Sequence, residues 1–381
     1  MSEKAPVPIG HRPRRPWAAV SFFSLLALAV GTSLIWRWLG EAEALRWLAG
    51  AALSTAYVGS IFWRWTPLHR SPTGEPIPRL GPGTIASLVR GLTSAWLVGL
   101  GATRASAMDL GWAPSAMVLL TAVLDHLDGR LARATGTASE MGRRVDLDLD
   151  GFTTLTAYAL AVHLGVLPPI FLIIGALRYL YLLGVWALGQ LGISPRPVPP
   201  STARRVIASL QSGFVVGVLL PISGSPSSVV AAGVIAAALL ASFGRDTLVV
   251  SGAVDVGSDG YRRIVAGMRL ILLRALPVGL RVALAGALAW EWIGDPNGGV
   301  TEPVAVGLQA ILIVAVACLA LGMAARTAAL GVVVLYLWRI SELGPTPERL
   351  WVFGAACAVV VLGSGAWSLA SPESRIFRYE G

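Results

Sequence analysis

Cysteine is nearly missing from this sequence: 381 residues hold two, Cys318 and Cys357. Both lie inside apolar segments without metal-ligand spacing, which excludes a cysteine metal site, reads them as packing residues and says nothing about redox compartment. Charge is also sparse, at 13% Asp, Glu, Lys and Arg against 55% hydrophobic residues. Soluble domains carry about 25% charged residues, so the composition excludes an ordinary soluble globular protein and indicates a polytopic membrane protein. A small-residue cleavage site is missing too. The opening MSEKAPVPIGHRPRRP precedes a long apolar run, and reads as an uncleaved cytoplasmic tail.

The net charge is +9, yet the arginines sit in short connections between apolar segments. That pattern points to a lipid bilayer with anionic headgroups as partner, and away from nucleic acid. The expected fold is all-α, a multi-pass membrane protein of about twelve transmembrane helices, each needing roughly 20 apolar residues. The first two run near Trp17–Leu39 and Leu45–Phe62. The polar linker RWTPLHRSPTGEPIPRLGPG follows, and six spans then run from Thr84 to Phe243. The remaining spans lie between Arg263 and Leu369. Three regions are expected: 1–79 as tail and two helices, 80–250 as a six-span middle domain, and 251–381 as a four-helix membrane region. With the N-terminus inside, the cytoplasmic connections collect Arg64, Arg70, Arg79, Arg130, Arg133, Arg143, Arg144, Arg196, Arg204 and Arg205. The opposite side keeps few, such as Arg46, Arg104 and Arg349. The tryptophans near span ends, such as Trp36, Trp38, Trp63 and Trp65, read as interface anchors.

Against this apolar background, LDHLDGRLARATGTASEMGRRVDLDLDG, Leu124 to Gly151, concentrates carboxylates. Helical residues three or four apart share a face. Asp125, Asp128 and Ala132 therefore align on one predicted helix, and Gly142, Asp146 and Asp150 on the next. A connection of about eight residues lets the two helices run antiparallel and bring both carboxylate pairs to one membrane boundary. Four carboxylates in one pocket repel unless neutralised, and all-oxygen ligation suits Mg²⁺ or Mn²⁺, two ions balancing the charge. Gly129 and Gly142 leave room for a ligand to approach the backbone. Asp148 falls on another side of its helix and is expected to be solvated or paired with Arg143 or Arg144. His126 is likewise turned from Asp125.

The pattern D-x2-D-G-x2-A-R-x8-G-x3-D-x3-D resembles the signature of the CDP-alcohol phosphotransferases at every fixed position: Asp125, Asp128, Gly129, Ala132, Arg133, Gly142, Asp146 and Asp150. Ser87-x-x-Arg90 is similar to the start of that family's first helix, although the asparagine often found there is absent. The resemblance covers a little under half of the chain. It implies a six-helix catalytic core, a homodimer, and transfer of a phosphatidyl group from CDP-diacylglycerol, or a related CDP-alcohol, to a small polar alcohol with release of CMP in phospholipid biosynthesis. By the same resemblance Asp125, Asp128, Asp146 and Asp150 ligate metal, Asp150 is also the general base, and Gly129, Ala132, Arg133 and Gly142 form the cytidine-diphosphate pocket.

Arg178 lies within an apolar run, where a charge is a functional-site candidate by default. Arg178, Arg204 and Arg205 are candidate contacts for an acceptor, with a tilt toward a phosphorylated one. The expected place is the plasma membrane with the active site at its cytoplasmic face. Two other readings stand beside this one: a transferase taking CDP-choline or CDP-ethanolamine to a lipid alcohol, and an inactive scaffold or transporter. The stretch CLALGMAARTAALGVVVLYLW is similar to the four-helix DoxX-like membrane family. That likeness is compositional, and no function is carried from it.

Overall fold

The computed structural model describes residues 14–70, 77, 80–199, 202–220, 226–294, 302–344, 346–363, 365 and 368. These residues are helices and turns, without strands. In order the helices are α1 (Arg14–Leu39), α2 (Glu41–Trp65), α3 (Pro82–Ala102), α4 (Ala107–Leu110), α5 (Ala113–Ala134), α6 (Glu140–His163) and α7 (Phe171–Gln190). Then follow α8 (Thr202–Val218), α9 (Pro226–Val250), α10 (Asp259–Leu270), α11 (Leu276–Gly294), α12 (Glu302–Leu321), α13 (Ala325–Leu343) and α14 (Pro347–Leu362). A five-residue π turn, Ile271–Ala275, joins α10 to α11.

Among the described residues, three helices are long and apolar enough to cross a membrane: Trp17–Leu39, Pro82–Ala102 and Phe171–Gln190. Helices α5 and α6 fall outside that set for a chemical reason, since each carries its own aspartates and arginines within an otherwise apolar stretch. Two helices do not announce themselves as apolar runs. Helix α4 is a single turn closed by a capping box, in which Ser106 and Asp109 satisfy each other's backbone N–H. Helix α10 is short and amphipathic, capped by Ser258.

The chain divides into two compact units. The first comprises Met1–Tyr179 with Val218–Pro221, and the second Leu180–Gly217 with Ile222–Gly381. In the first, α3 is the hub and packs along α2, α5 and α6. Its core joins Val58, Ile61 and Phe62 of α2, Leu88 and Leu92 of α3, and Met141, Val145, Leu149 and Phe152 of α6. The α6 positions recur every three or four residues, so one stripe of that helix is buried. In the second unit, Leu284 and Leu288 of α11 and Leu319 of α12 pack with Val332 and Tyr336 of α13 and Ala356 and Val359 of α14. There Arg339 donates to Glu291 at 2.7 Å and the Tyr336 hydroxyl donates to the same carboxylate.

Candidate active site

Local sequence fixes the two motif helices. Helix α5 begins with a proline in its first turn and is followed, two residues past its end, by Gly136, whose φ of +65° reverses the chain where a side chain would be strained. The connection to α6 is five residues, Thr135–Ser139, shorter than the sequence spacing suggests, because both halves of the motif extend into helix. Ser139 caps α6, its hydroxyl accepting from the Gly142 N–H at 3.2 Å.

Glu140 strengthens that start. It accepts from Arg143 Nε at 2.8 Å and Arg144 Nε at 2.9 Å, and hydrogen bonds from Arg143 and Arg144 hold its carboxyl down at about 2, from an ordinary 4.5. A depressed pKa stabilises the folded chain in full above about pH 4.5 and loses that effect as pH falls toward 2. The pair is largely exposed, so the stabilisation is no more than ~1 kcal/mol. Glu140→Gln should therefore melt roughly 2 °C lower at neutral pH. The difference should shrink on acidification below pH 4.5, which a thermal unfolding series in pH would record.

The carboxylates gather where α3 meets both motif helices. Asp125, Asp146 and Asp150 each offer an oxygen, all within 4.8 Å of one another. Asp128 stands beside them, buried, and accepts from the Ser87 hydroxyl of α3 at 2.8 Å. Between them lies a residue that the motif does not contain, Arg90 of α3, only 2% exposed. Its Nη1 donates to Asp125 and lies 3.4 Å from Asp150 and 3.9 Å from Asp128. Its Nη2 reaches Asp146 Oδ1 at 2.7 Å. One guanidinium thus spans four carboxylates, and negative charge remains in excess.

That excess, and the hard oxygen donors that carry it, fit divalent cations of the magnesium or manganese type. Asp125, Asp146 and Asp150 are the residues placed to share one.

The glycines and small residues have definite surroundings. A Cβ on Gly83 of α3 would stand 2.5 Å from the Asp128 carbonyl and 2.7 Å from the Ala132 Cβ, so Ala132 sits at a close approach of α3 and α5. The Arg133 guanidinium folds back one turn, its Nη1 3.2 Å from where a Gly129 Cβ would be. Gly142 faces open space apart from its cap, Ser139. Arg178 of α7 crosses α6 at Gly151, with its Cδ 2.6 Å from the position of a Cβ there, one residue from Asp150.

Arg204 belongs to the second unit, where it pairs with buried Asp246 at 3.0 Å. The side chain of Arg205 lies outside the described residues. His126 is exposed and directs Nδ1 to the Ala122 carbonyl at 2.9 Å. Asp148 has a partner that sequence reasoning did not foresee. It accepts the Trp65 indole N–H at 2.7 Å, while Arg143 and Arg144 go to Glu140.

Sequence reasoning singled out Ser87 and Arg90 only as the start of a helix. The signal that would have found them was available, since Arg90 is a charge inside an apolar span, the same observation that drew attention to Arg178.

Neither the curated proteins nor the solved structures contain a match to this chain. Residues 84–244 match the family model described as CDP-alcohol phosphatidyltransferase, a stretch that holds Ser87, Arg90 and all four clustered aspartates, and the chain therefore carries a domain of that family.

Proposed function

We propose that the protein is a divalent-metal-dependent phosphatidyltransferase of phospholipid synthesis. It would take CDP-diacylglycerol, or a related CDP-alcohol, and a small polar alcohol, and release CMP. The observation that carries this reading is the convergence of Asp125, Asp146 and Asp150 within 4.8 Å, in the segment that matches the family. The donor's pyrophosphate brings more negative charge to a site already rich in carboxylates, so substrate and protein need a shared counter-charge. Bound Mg²⁺ or Mn²⁺, two ions by family likeness, would neutralise the pyrophosphate and act as Lewis acid on it.

The chain's own residues have separable tasks. Asp125, Asp128, Asp146 and Asp150 hold metal, and Asp150 has a second task. Asp150, at the open edge with 47% of its side chain exposed, takes the proton from the acceptor hydroxyl as that oxygen bonds to the lipid-side phosphorus. The phosphorus–oxygen bond to CMP breaks on the other side, and CMP leaves. Gly129, Ala132, Arg133 and Gly142 line the cytidine-diphosphate pocket, with Arg133 as a phosphate contact. Arg178, beside Asp150 across Gly151, orients the acceptor and favours a phosphorylated one. Arg204 and Arg205 are further acceptor contacts in the same proposal.

The domain spans 80–250, flanked by 1–79 and 251–381, in a plasma-membrane protein of about twelve spans. It works as a homodimer with its site at the cytoplasmic face. The test is CMP release by the purified protein with CDP-diacylglycerol, Mn²⁺ or Mg²⁺, and a panel of acceptors with and without a phosphate. Acceptor-dependent CMP release is expected, largest with a phosphorylated alcohol. Equal background release with every acceptor would refute the assignment.

A further inference from the structure

The family match begins at residue 84, yet α2, which ends at Trp65, is built into the helix that bears the second half of the motif. On α6 the buried stripe runs through Met141, Val145, Leu149 and Phe152. Successive helical residues are about 100° apart, so Asp146 and Asp150 project to one side of this stripe and Asp148 to the other. Asp146 is met by Arg90. Asp148 is met by α2, through the Trp65 indole N–H at 2.7 Å.

Further contacts join the same two elements. The Arg144 guanidinium lies over the Trp65 ring at 5.1 Å. The rings of Tyr57 and Phe152 meet at a tilt of 53°, with centroids 5.1 Å apart. His69 Nδ1, just beyond α2, stands 3.4 Å from the hydroxyl of Ser139 that caps α6. Close approach is possible because α3 carries Gly91 between them, where a Cβ would stand 2.8 Å from Val58 and 3.1 Å from Leu149.

From this geometry we infer that α2 is part of the active-site scaffold, and that Trp65 is a positioning residue which, through Asp148, fixes the rotation of α6 and so the aim of Asp146 and Asp150. Helix α6 is gripped on both flanks, by Arg90 on the motif side and Trp65 on the other. A single grip would leave it free to roll about its buried stripe. A roll of about 20° moves a carboxylate at ~6 Å from the helix axis by about 2 Å, enough to spoil a shared ligand site. The inference rests on the proposed roles of Asp146 and Asp150, and its test reads helix order separately from chemistry.

Three variants of the full chain separate the possibilities. Trp65→Phe keeps an aromatic ring against Arg144 and deletes only the donor. Asp148→Leu keeps the size and deletes the acceptor, whereas Asp148→Asn keeps an oxygen that accepts the indole N–H. Hydrogen–deuterium exchange over residues 141–150 without metal should rise about tenfold in Trp65→Phe and in Asp148→Leu, and no further in the double variant, as for partners in one bond. Asp148→Asn should stay near wild type. Mn²⁺ binding, followed by electron paramagnetic resonance without substrate, should weaken about tenfold in the same two variants, as when a ligand loses its orienting partner.

Unchanged exchange in Trp65→Phe, or raised exchange with undiminished Mn²⁺ affinity, would overturn the positioning role. Loss of Mn²⁺ affinity in Asp148→Asn equal to that in Asp148→Leu would assign the effect to charge and overturn it as well. Should the wild type bind no Mn²⁺ and release no CMP, the proposed function fails, and the exchange data alone decide whether Trp65 fixes α6.

Discussion

Arg90→Met should cost the enzyme at least about 100-fold in CMP release, the scale expected when a reacting group is misplaced by an ångström or so. The reason is positional. Arg90 touches no motif residue through sequence proximity, standing 35 positions from Asp125 and 56 from Asp146. It is nevertheless the group that joins these two carboxylates, from different helices, through one guanidinium. Methionine fills similar volume without charge. The carboxylates would then repel across a gap that only solvent or metal could screen.

Breaking a buried ion pair typically costs 3–5 kcal/mol. Asp125, Asp146 and Asp150 are more than one-third exposed, so about 3 kcal/mol, the lower end of that range, is expected. The metal-free variant should melt roughly 5 °C or more below the wild type. Added Mn²⁺ should recover more stability in Arg90→Met than it adds to the wild type, because a ligand at about 100 times its Kd contributes about 2.7 kcal/mol to the state it binds, and in the wild type the guanidinium already occupies part of that role. Arg90→Lys should fall between the two, since a single ammonium cannot reach Asp125 and Asp146 as a fork does. A metal increment equal in the variant and the wild type would mean that Arg90 only packs.

What was legible in the sequence was what is local. Asp125 and Asp128, or Asp146 and Asp150, lie one helical turn apart, so helix periodicity alone puts each pair on a face. The apolar run before Asp125 and the one after Asp150 show that both sit in long helices. Contacts between helices were not legible. Nothing in the spacing of Asp148 reveals Trp65, 83 positions away, and a charged residue with no visible partner reads as solvated. Ala132 shows the same limit in reverse, since its small size suits a nucleotide pocket in the motif while the structure sets it against Gly83. Arg90 was visible as an intramembrane charge, but a composition rule points to such a residue without saying which helices it joins.

Asp150→Asn should lower CMP release by about 1,000-fold, within the range for loss of a general base, and Asp146→Asn, which removes a metal ligand, should lower it as well, while both leave the metal-free protein as stable as before or slightly more so. The sign of the stability change follows from the charge count at the site. One guanidinium faces four carboxylates, and side chains with 37% and 47% exposure gain less from Arg90 than they lose to their neighbours once asparagine relieves the repulsion. Asp128 should behave differently. Its side chain is 9% exposed and holds the Ser87 hydroxyl. Asp128→Asn keeps that acceptor, but Asp128→Ala removes it and should destabilise the fold by about 1–3 kcal/mol. Thermal unfolding without metal, run beside the CMP assay, separates two readings of the cluster. If the aspartates served only to bind Arg90 and hold helices together, each substitution would lower the melting temperature. A site shaped for cations and pyrophosphate stores repulsion instead, so activity should vanish while the melting temperature stays level or rises in Asp146→Asn and Asp150→Asn.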